Sequence, residues 1–295
     1  MGAFLLEGRS VAAEIEAEVA AETELLRAEG IVPNLTVVFV GDDPASRTYV
    51  GSKEKACRRV GIESTTLRLP ATTGREDLLG VVEGLNKDPA VHGILVQLPL
   101  PPAIDPAEVL CTIEPAKDVD GLTPENMGRL FSGFPYTVPC TPAGIVRLLG
   151  HHRVPVEGSD VVIIGRSNIV GKPLAAMLIQ KRRGMDCTVT LCHSMTKDIA
   201  RYTREADVVV AAIGSPRFLT ADMVRQGSTI IDVGINRVED SSARRGYRLV
   251  GDVDFDQVVN KAAFISPVPG GVGLLTVSML LKNTVKVARC CGCPD

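Results

Sequence analysis

The chain has 295 residues, 45% hydrophobic and 23% charged, with a formal charge of −3. That is a globular balance, long enough for two ordinary domains with cores of their own. Both signs of charge are interspersed without a basic tract, which excludes the electrostatic footprint that nucleic acid requires. The longest apolar runs, such as ADVVVAAIG, are strand-length, well short of the about 18 residues a spanning helix needs, so no membrane partner is expected.

The start, MGAFLLEGRSVAAEIEAEVA, has a short apolar run without a basic flank and soon turns into an acidic amphipathic helix. This argues against a secretory signal, and Leu6 stands where a myristoylation site needs Ser or Thr. A cytoplasmic location is expected. Five of the eight cysteines (Cys57, Cys111, Cys140, Cys187, Cys192) sit singly in apolar segments, as buried free thiols in a reducing compartment do. The tail CCGCPD gathers Cys290, Cys291 and Cys293 without a fourth ligand, so no metal site is expected.

From Leu35 the pattern alternates: LTVVFVG, a helical stretch from about Ser46, IESTTLRL, a helical stretch from Arg75, then VHGILVQL. Alternation at this spacing predicts parallel strands with crossover helices. In YTVPCTPAGIVRLLG, Thr141 and Pro142 read as the N-cap and first-turn proline of a connecting helix. A second α/β series then runs DVVIIG, helix, CTVTLCH, helix, ADVVVAAIG, helix, STIIDVGI, AFISPVP. PVPGGVG breaks the chain before a last amphipathic helix whose Val277, Leu280, Leu281 and Val285 form an apolar face, expected to pack on the first domain. The predicted domains are residues 1–143 plus 272–295, and residues 144–271.

In the second series, DVVIIG followed by RSNIVGKPLAAML has the parts of a dinucleotide site: Gly165 at the tight turn, Gly171 at the helix start, and free backbone N–H groups for a pyrophosphate. The next strand ends in LCHS rather than in the acid that holds an NAD ribose. Asp186, about 20 residues past Gly165, precedes that strand and so lies at its wrong end. Arg166 with His193 and Ser194 offers donors to a 2′-phosphate and no repelling carboxylate, which favours NADP; the alternative for Arg166 is a solvated loop charge.

In the first series, about 100° of rotation per residue puts Tyr49, Lys53, Ala56 and Val60 on one helical face, while Lys55, Arg58 and Arg59 turn away. Desolvation and the positive helix end would both favour a neutral amine on an inward Lys53, able to move protons. The alternative is that it snorkels to water. Gln97 ends an apolar strand beside the stiff LPLPP, either as part of a site or as a core amide bonded to backbone. Lys117, Asp118 and Asp120 crowd a turn that reads equally as a solvated Asx-turn.

Taken together, SRTYVGSKEKA, GILVQLPLP, KDVDGLTPENMGRL, PCTPAGIVRLL, GRSNIVGKPLAAML, TVTLCHSMT, IIDVGIN, VGDVDF and PVPGGVG run in one order across nearly the whole chain. They resemble the bifunctional methylenetetrahydrofolate dehydrogenase/methenyltetrahydrofolate cyclohydrolases. The resemblance implies an N-terminal α/β folate domain, a Rossmann-like NADP-binding domain with a parallel sheet, and a cleft between them. Hydride would pass from 5,10-methylenetetrahydrofolate to nicotinamide, and the methenyl product would be hydrolysed to 10-formyltetrahydrofolate. It implies Lys53 as the central catalytic group, Gln97 holding it, Tyr49 stacking on the substrate and Asp120 bonding the pterin, with Val96, Leu98, Pro269, Gly270 and Gly271 also on the folate. Gly165, Arg166, Ser167, Ser194 and Ile235 would contact the cofactor, and the family implies a homodimer. One departure is visible: Leu274-Leu275-Thr276 stands where the family usually has Pro-Met-Thr. The competing readings are a shikimate dehydrogenase-like NADP oxidoreductase, against which the apolar LPLP wall speaks, and a non-catalytic folate or nucleotide sensor.

Overall fold

The computed structural model describes residues 2–242 and 246–292. Two compact units emerge, Glu14–Val138 with Val277–Asp295, and Met1–Ala13 with Pro139–Thr276. The chain opens with strand β1 (Phe4–Leu5) and helix α1 (Gly8–Ala28). In the first of the two units follow β2 (Asn34–Val40), α2 (Pro44–Arg59), β3 (Glu63–Leu69), α3 (Arg75–Lys87), β4 (Gly93–Val96), α4 (Pro106–Thr112) and α5 (Pro124–Phe131).

β2, β3 and β4 form a parallel sheet in the order β3-β2-β4. The central strand is NLTVVFV, buried from Leu35 to Val40, the continuous apolar run that a strand covered on both faces requires. One face packs Val38, Val40, Ile94 and Val96 against Leu78 and Val82 of α3 and Val109 of α4. The mouth of this sheet is set by local chemistry after β2. Gly41, at φ 87°, turns the chain, and Asp43 caps α2 by accepting from the Ser46 N–H at 2.7 Å. Pro44 occupies the first turn, where its missing N–H costs nothing. The helix therefore starts before Ser46, and Asp43 rather than Ser46 is its cap.

The other unit carries α6 (Cys140–His151), β5 (Asp160–Ile164), α7 (Gly171–Leu178), β6 (Thr188–Cys192), α8 (Ile199–Thr203), β7 (Val208–Ala211), β8 (Thr229–Asp232), β9 (Asn236–Glu239), β10 (Tyr247–Val250), α9 (Phe255–Val258) and β11 (Phe264–Ile265). Its sheet runs β1-β11-β8-β7-β5-β6, every neighbouring pair parallel. β9 and β10 pair with each other as an antiparallel two-stranded sheet. Helix α10 (Gly273–Gly292) begins here and clusters with the three-stranded unit from Val277 onward. There Asn283 donates to the Val119 and Val138 carbonyls, each at 2.8 Å.

Three expectations are corrected. Residues 1–13 belong with the six-stranded sheet, because Phe4 and Leu5 pair with Phe264 and Ile265. Thr141 does not cap α6, which starts at Cys140 behind Pro139 without a side-chain cap; the Thr141 hydroxyl instead bonds Thr276 Oγ1 at 2.9 Å. Cys111 is exposed, on the side of α4 opposite its buried Val109.

The Asp43 cap gives a direct test. Asp43→Ala is expected to lower the unfolding free energy by about 1 kcal/mol in urea titrations; an unchanged midpoint would mean that Pro44 alone sets the helix start.

Candidate functional site

In the three-stranded unit, the charges on α2 separate by face. Lys55, Arg58 and Arg59 are exposed, whereas Lys53 is 7% exposed. Its Nζ donates to Gln97 Oε1 at 2.9 Å and lies 5.5 Å from the Tyr49 ring centroid. Gln97 continues past β4, its backbone N–H bonding Val38 O at 2.9 Å. Its side-chain Nε2 donates to Leu98 O at 2.7 Å, which leaves the amide oxygen facing the lysine. Burial, and then the Asp120 carboxylate, push the Tyr49 phenol above its usual range. Lys53, Gln97 and Tyr49 thus converge beyond the C-terminal ends of β2 and β4, where ligands of open α/β sheets bind, and the Asp120 charge acts on the Tyr49 phenol. The helix dipole contributes little, because its field falls off within the first turn and Lys53 lies more than two turns past Pro44. Leu98 is half-buried beside this group. Val96 instead points into the apolar cluster with Leu78 and Val82, so its side chain is not part of the group.

The turn carrying Asp120 is not a solvated Asx-turn. Asp118 is 1% exposed and accepts from the N–H groups of Gly121 (2.8 Å) and Thr123 (2.8 Å) and from Asn126 Nδ2 (2.9 Å). Lys117 is buried too, its Nζ donating to the carbonyls of Leu85 (3.0 Å) and Asp88 (2.7 Å) at the end of α3. With Asn283 on Val119 O, these bonds fix the backbone on both sides of Asp120. Sequence reasoning missed Asp118 and Asn283 as supports. The available signal was Asp118 five residues before the Thr-Pro that opens α5, an acceptor placed to reach a cluster of free N–H groups.

In the other unit, β5 ends at Gly165 (φ 122°), where a Cβ would overlap the Ala212 carbonyl. A Cβ on Gly171 would overlap the Gly165 carbonyl. Both glycines are therefore required by close approach, the first between strand-end loops and the second between loop and helix. α7 has no side-chain cap, and Arg166 and Ser167 are exposed just before it; the Ser167 hydroxyl accepts from the Val170 N–H at 3.1 Å. A helix start of this kind suits a pyrophosphate. β6 ends at Cys192, followed by His193 and an exposed Ser194, while Asp186 sits before the strand. Sheet order reverses between β5 and β7, the crevice where doubly wound sheets bind dinucleotides. Ile235 is exposed after β8. The chain fits a dinucleotide along this edge.

Two buried acids that sequence reasoning passed over lie under the same edge. Asp232 accepts from the N–H groups of Gly234 (3.0 Å), Asp252 (2.9 Å) and Val253 (3.0 Å). Burial pushes its carboxyl up to about 7, with a smaller push from Asp252, against the pull of those three donors.

Pro269, Gly270 and Gly271 precede α10 in this unit, where the Gly8 N–H bonds Gly270 O at 2.8 Å. Leu275 is fully buried against Gly144 of α6, whereas Leu274 is exposed. Among the described residues no group of His, Cys, Asp and Glu side chains could hold a metal ion; Cys293 of the tail lies outside them. No helix among them is long and apolar enough to cross a membrane.

Residues 6–120 match the tetrahydrofolate dehydrogenase/cyclohydrolase catalytic domain, and residues 139–291 its NAD(P)-binding domain. A bifunctional protein FolD from Chlorobium luteolum is 53% identical over 285 residues, covering 96% of this chain and 97% of that protein. Among solved structures, the FolD methylenetetrahydrofolate dehydrogenase/cyclohydrolase from Campylobacter jejuni superposes with a TM-score of 0.91 at 46% identity, covering 97% of this chain and 98% of that one. The Trypanosoma brucei enzyme, solved with NADP cofactor and an inhibitor, gives a TM-score of 0.91 at 43% identity over 98% of each chain.

Asp118→Ala strands three buried donors, so it should lower the unfolding free energy by on the order of 3 kcal/mol, and a loss under about 1 kcal/mol would contradict its role as a support. For Asp232, the folded value of about 7 lies above the about 3.9 of a free aspartate. The folded chain then holds the extra proton between these values, and stability from this group falls as pH rises through them. Asp232→Asn should make the stability–pH slope in this window less negative by up to about 1.4 kcal/mol per pH unit; parallel curves for the two proteins would contradict it.

Proposed function

The chain belongs to the tetrahydrofolate dehydrogenase/cyclohydrolase family, and we propose on that premise how its own residues carry the two activities. It is an NADP-dependent methylenetetrahydrofolate dehydrogenase and a methenyltetrahydrofolate cyclohydrolase. When bound, NADP supplies the hydride acceptor. The observation that carries the assignment of roles is the part-buried Lys53–Gln97 hydrogen bond, 2.9 Å long, inside the segment matching the catalytic domain.

The two steps ask different things of the protein. Oxidation of the methylene bridge gives a cation shared by two nitrogens, so it needs orientation more than acid–base help. Tyr49 and Asp120 supply that, the ring as a face for the pterin and the carboxylate as its hydrogen-bond acceptor. Hydrolysis adds water to the cationic carbon. Both protons of the attacking water must leave its oxygen: one reaches the ring nitrogen as that nitrogen's bond to the carbon breaks, and the other passes to solvent. Lys53 is the group in reach of such a substrate that can take and return a proton, and Gln97 fixes where its Nζ sits. Leu98 and the Pro269–Gly271 segment complete the folate contacts in this reading, with Val96 contributing backbone alone.

On the cofactor side, Gly165, Ser167 and the open start of α7 hold the pyrophosphate. Arg166 and Ser194 take the 2′-phosphate, and Ile235 borders the nicotinamide end. The family reading also carries a homodimer and a cytoplasmic location. A shikimate dehydrogenase-like activity is not favoured, because residues 6–120 match the family's catalytic domain and residues 139–291 its NAD(P)-binding domain. A sensor is not favoured either, since Tyr49, Lys53, Gln97 and Asp120 are all present and the first three converge.

Purified protein given 5,10-methylenetetrahydrofolate and NADP should form NADPH, and then 10-formyltetrahydrofolate. Lys53→Met should cut methenyl hydrolysis by at least about a hundredfold while leaving NADP affinity unchanged; retained hydrolysis would remove Lys53 from the mechanism. Arg166→Ala should raise KM for NADP by at least about tenfold and leave KM for NAD unaltered. Equal effects on both cofactors would overturn the phosphate assignment.

A further inference from the structure

Asp232 and Asp252 are 2% and 0% exposed, and neither forms an ion pair among the described residues. Burying two neighbouring carboxylates without a cation works against folding, and an apolar pair would serve stability better. Their hydrogen bonds show what is obtained instead. Asp252 Oδ2 accepts from the N–H groups of Ile213 (2.7 Å) and Gly214 (2.9 Å), in the loop after β7. Its Oδ1 accepts from Asn236 Nδ2 at 2.9 Å, at the residue after Ile235. Asp232, at the end of β8, accepts from both the Asp252 and the Gly234 N–H on its Oδ1. The interlock admits no side chain between its parts: a Cβ on Gly234 would overlap the Asp252 carboxylate, and one on Gly251 the Asp232 carboxylate.

The segments so held border one half of the crevice. In a doubly wound sheet the adenosine ribose lies at the end of the second strand of the unit, here β6, and the dinucleotide crosses the reversal toward the strands beyond it. That places the nicotinamide half over the ends of β7 and β8. We propose that Asp252, held by Asp232, is a positioning residue for the nicotinamide half of the cofactor: its carboxylate fixes Ile213–Gly214 and Ile235–Asn236 together, so that nicotinamide is presented in one orientation for hydride transfer. The proposal rests on the dinucleotide reading of this edge. It assigns Asp252 no contact with the adenosine half, which Gly165, Arg166 and Ser194 hold.

The test separates the two halves of the cofactor. Binding of NADP and of adenosine 2′,5′-bisphosphate is measured by calorimetry on wild type, Asp252→Asn and Asn236→Ala, with single-turnover NADPH formation alongside. In Asp252→Asn, NADP affinity should fall at least about tenfold and hydride transfer should slow, while the bisphosphate stays within about twofold. Asn236→Ala removes one donor at the surface end of the network and should show the same split at about threefold, so it decides the matter alone if Asp252→Asn does not fold. Equal weakening of both ligands would reduce Asp252 to a general support of the domain, and no weakening of NADP would leave it without a role; either overturns the proposal. Wild type binding neither ligand would instead remove the dinucleotide reading beneath it.

Discussion

In the proposed mechanism the folate chemistry depends on the hydrogen bond from Lys53 Nζ to Gln97 Oε1, at 2.9 Å. A buried ammonium or amine without a partner would be costly, and an unpartnered lysine would find water by rotating its long stem. Gln97 removes that freedom. Its own nitrogen is engaged with Leu98 O, so its oxygen has one direction to face. Around that fixed pair the unit arranges a ring and a carboxylate, Tyr49 from the preceding turn of α2 and Asp120 from a turn whose geometry Asp118 and Asn283 impose. Tyr49 and Asp120 are partly exposed, while Asp118 and Asn283, which hold the Asp120 turn, are buried. This is the order expected where position rather than stability is required.

Both units use the same device at their functional edges. Parallel strands end together, glycine turns the chain, and a helix starts a few residues later: Gly41 before α2, Gly165 before α7. The difference lies in how the helix start is treated. Asp43 caps α2, leaving Lys53 and Tyr49 on its inner face to do the work. The start of α7 carries no side-chain cap, as befits an anion site. In the proposed reading, one topological rule serves proton handling in one unit and phosphate binding in the other, and the two helix starts differ in having and lacking a side-chain cap.

The strands and their parallel order were legible because LTVVFV, DVVII and ADVVVA are unbroken apolar runs of strand length, and only doubly covered strands tolerate these. Lys53 stood out because helical rotation separates it from Lys55, Arg58 and Arg59. β1 was not legible: two residues, Phe4 and Leu5, carry no periodicity, and only their pairing with β11 makes them a strand. Nor was the Asp232–Asp252 network, whose partners are backbone N–H groups from three separate segments; side-chain identity along the sequence says nothing about which amides will meet. Asp118 was misjudged for a related reason, since an acid in a turn reads as solvated until the depth of the turn is known. The helix dipole adds little at Lys53 because α2 starts at Pro44, behind Asp43, rather than at about Ser46, which lengthens the distance from helix start to lysine.

The central claim is that Gln97 acts through Lys53. A double-mutant cycle on methenyltetrahydrofolate hydrolysis, with Lys53→Met, Gln97→Ala and the pair, tests it most directly. If the account is right, Gln97→Ala slows the wild-type enzyme severely yet changes nothing further once Lys53 is gone. If the two losses multiply as independent effects, the hydrogen bond is not the element on which hydrolysis depends.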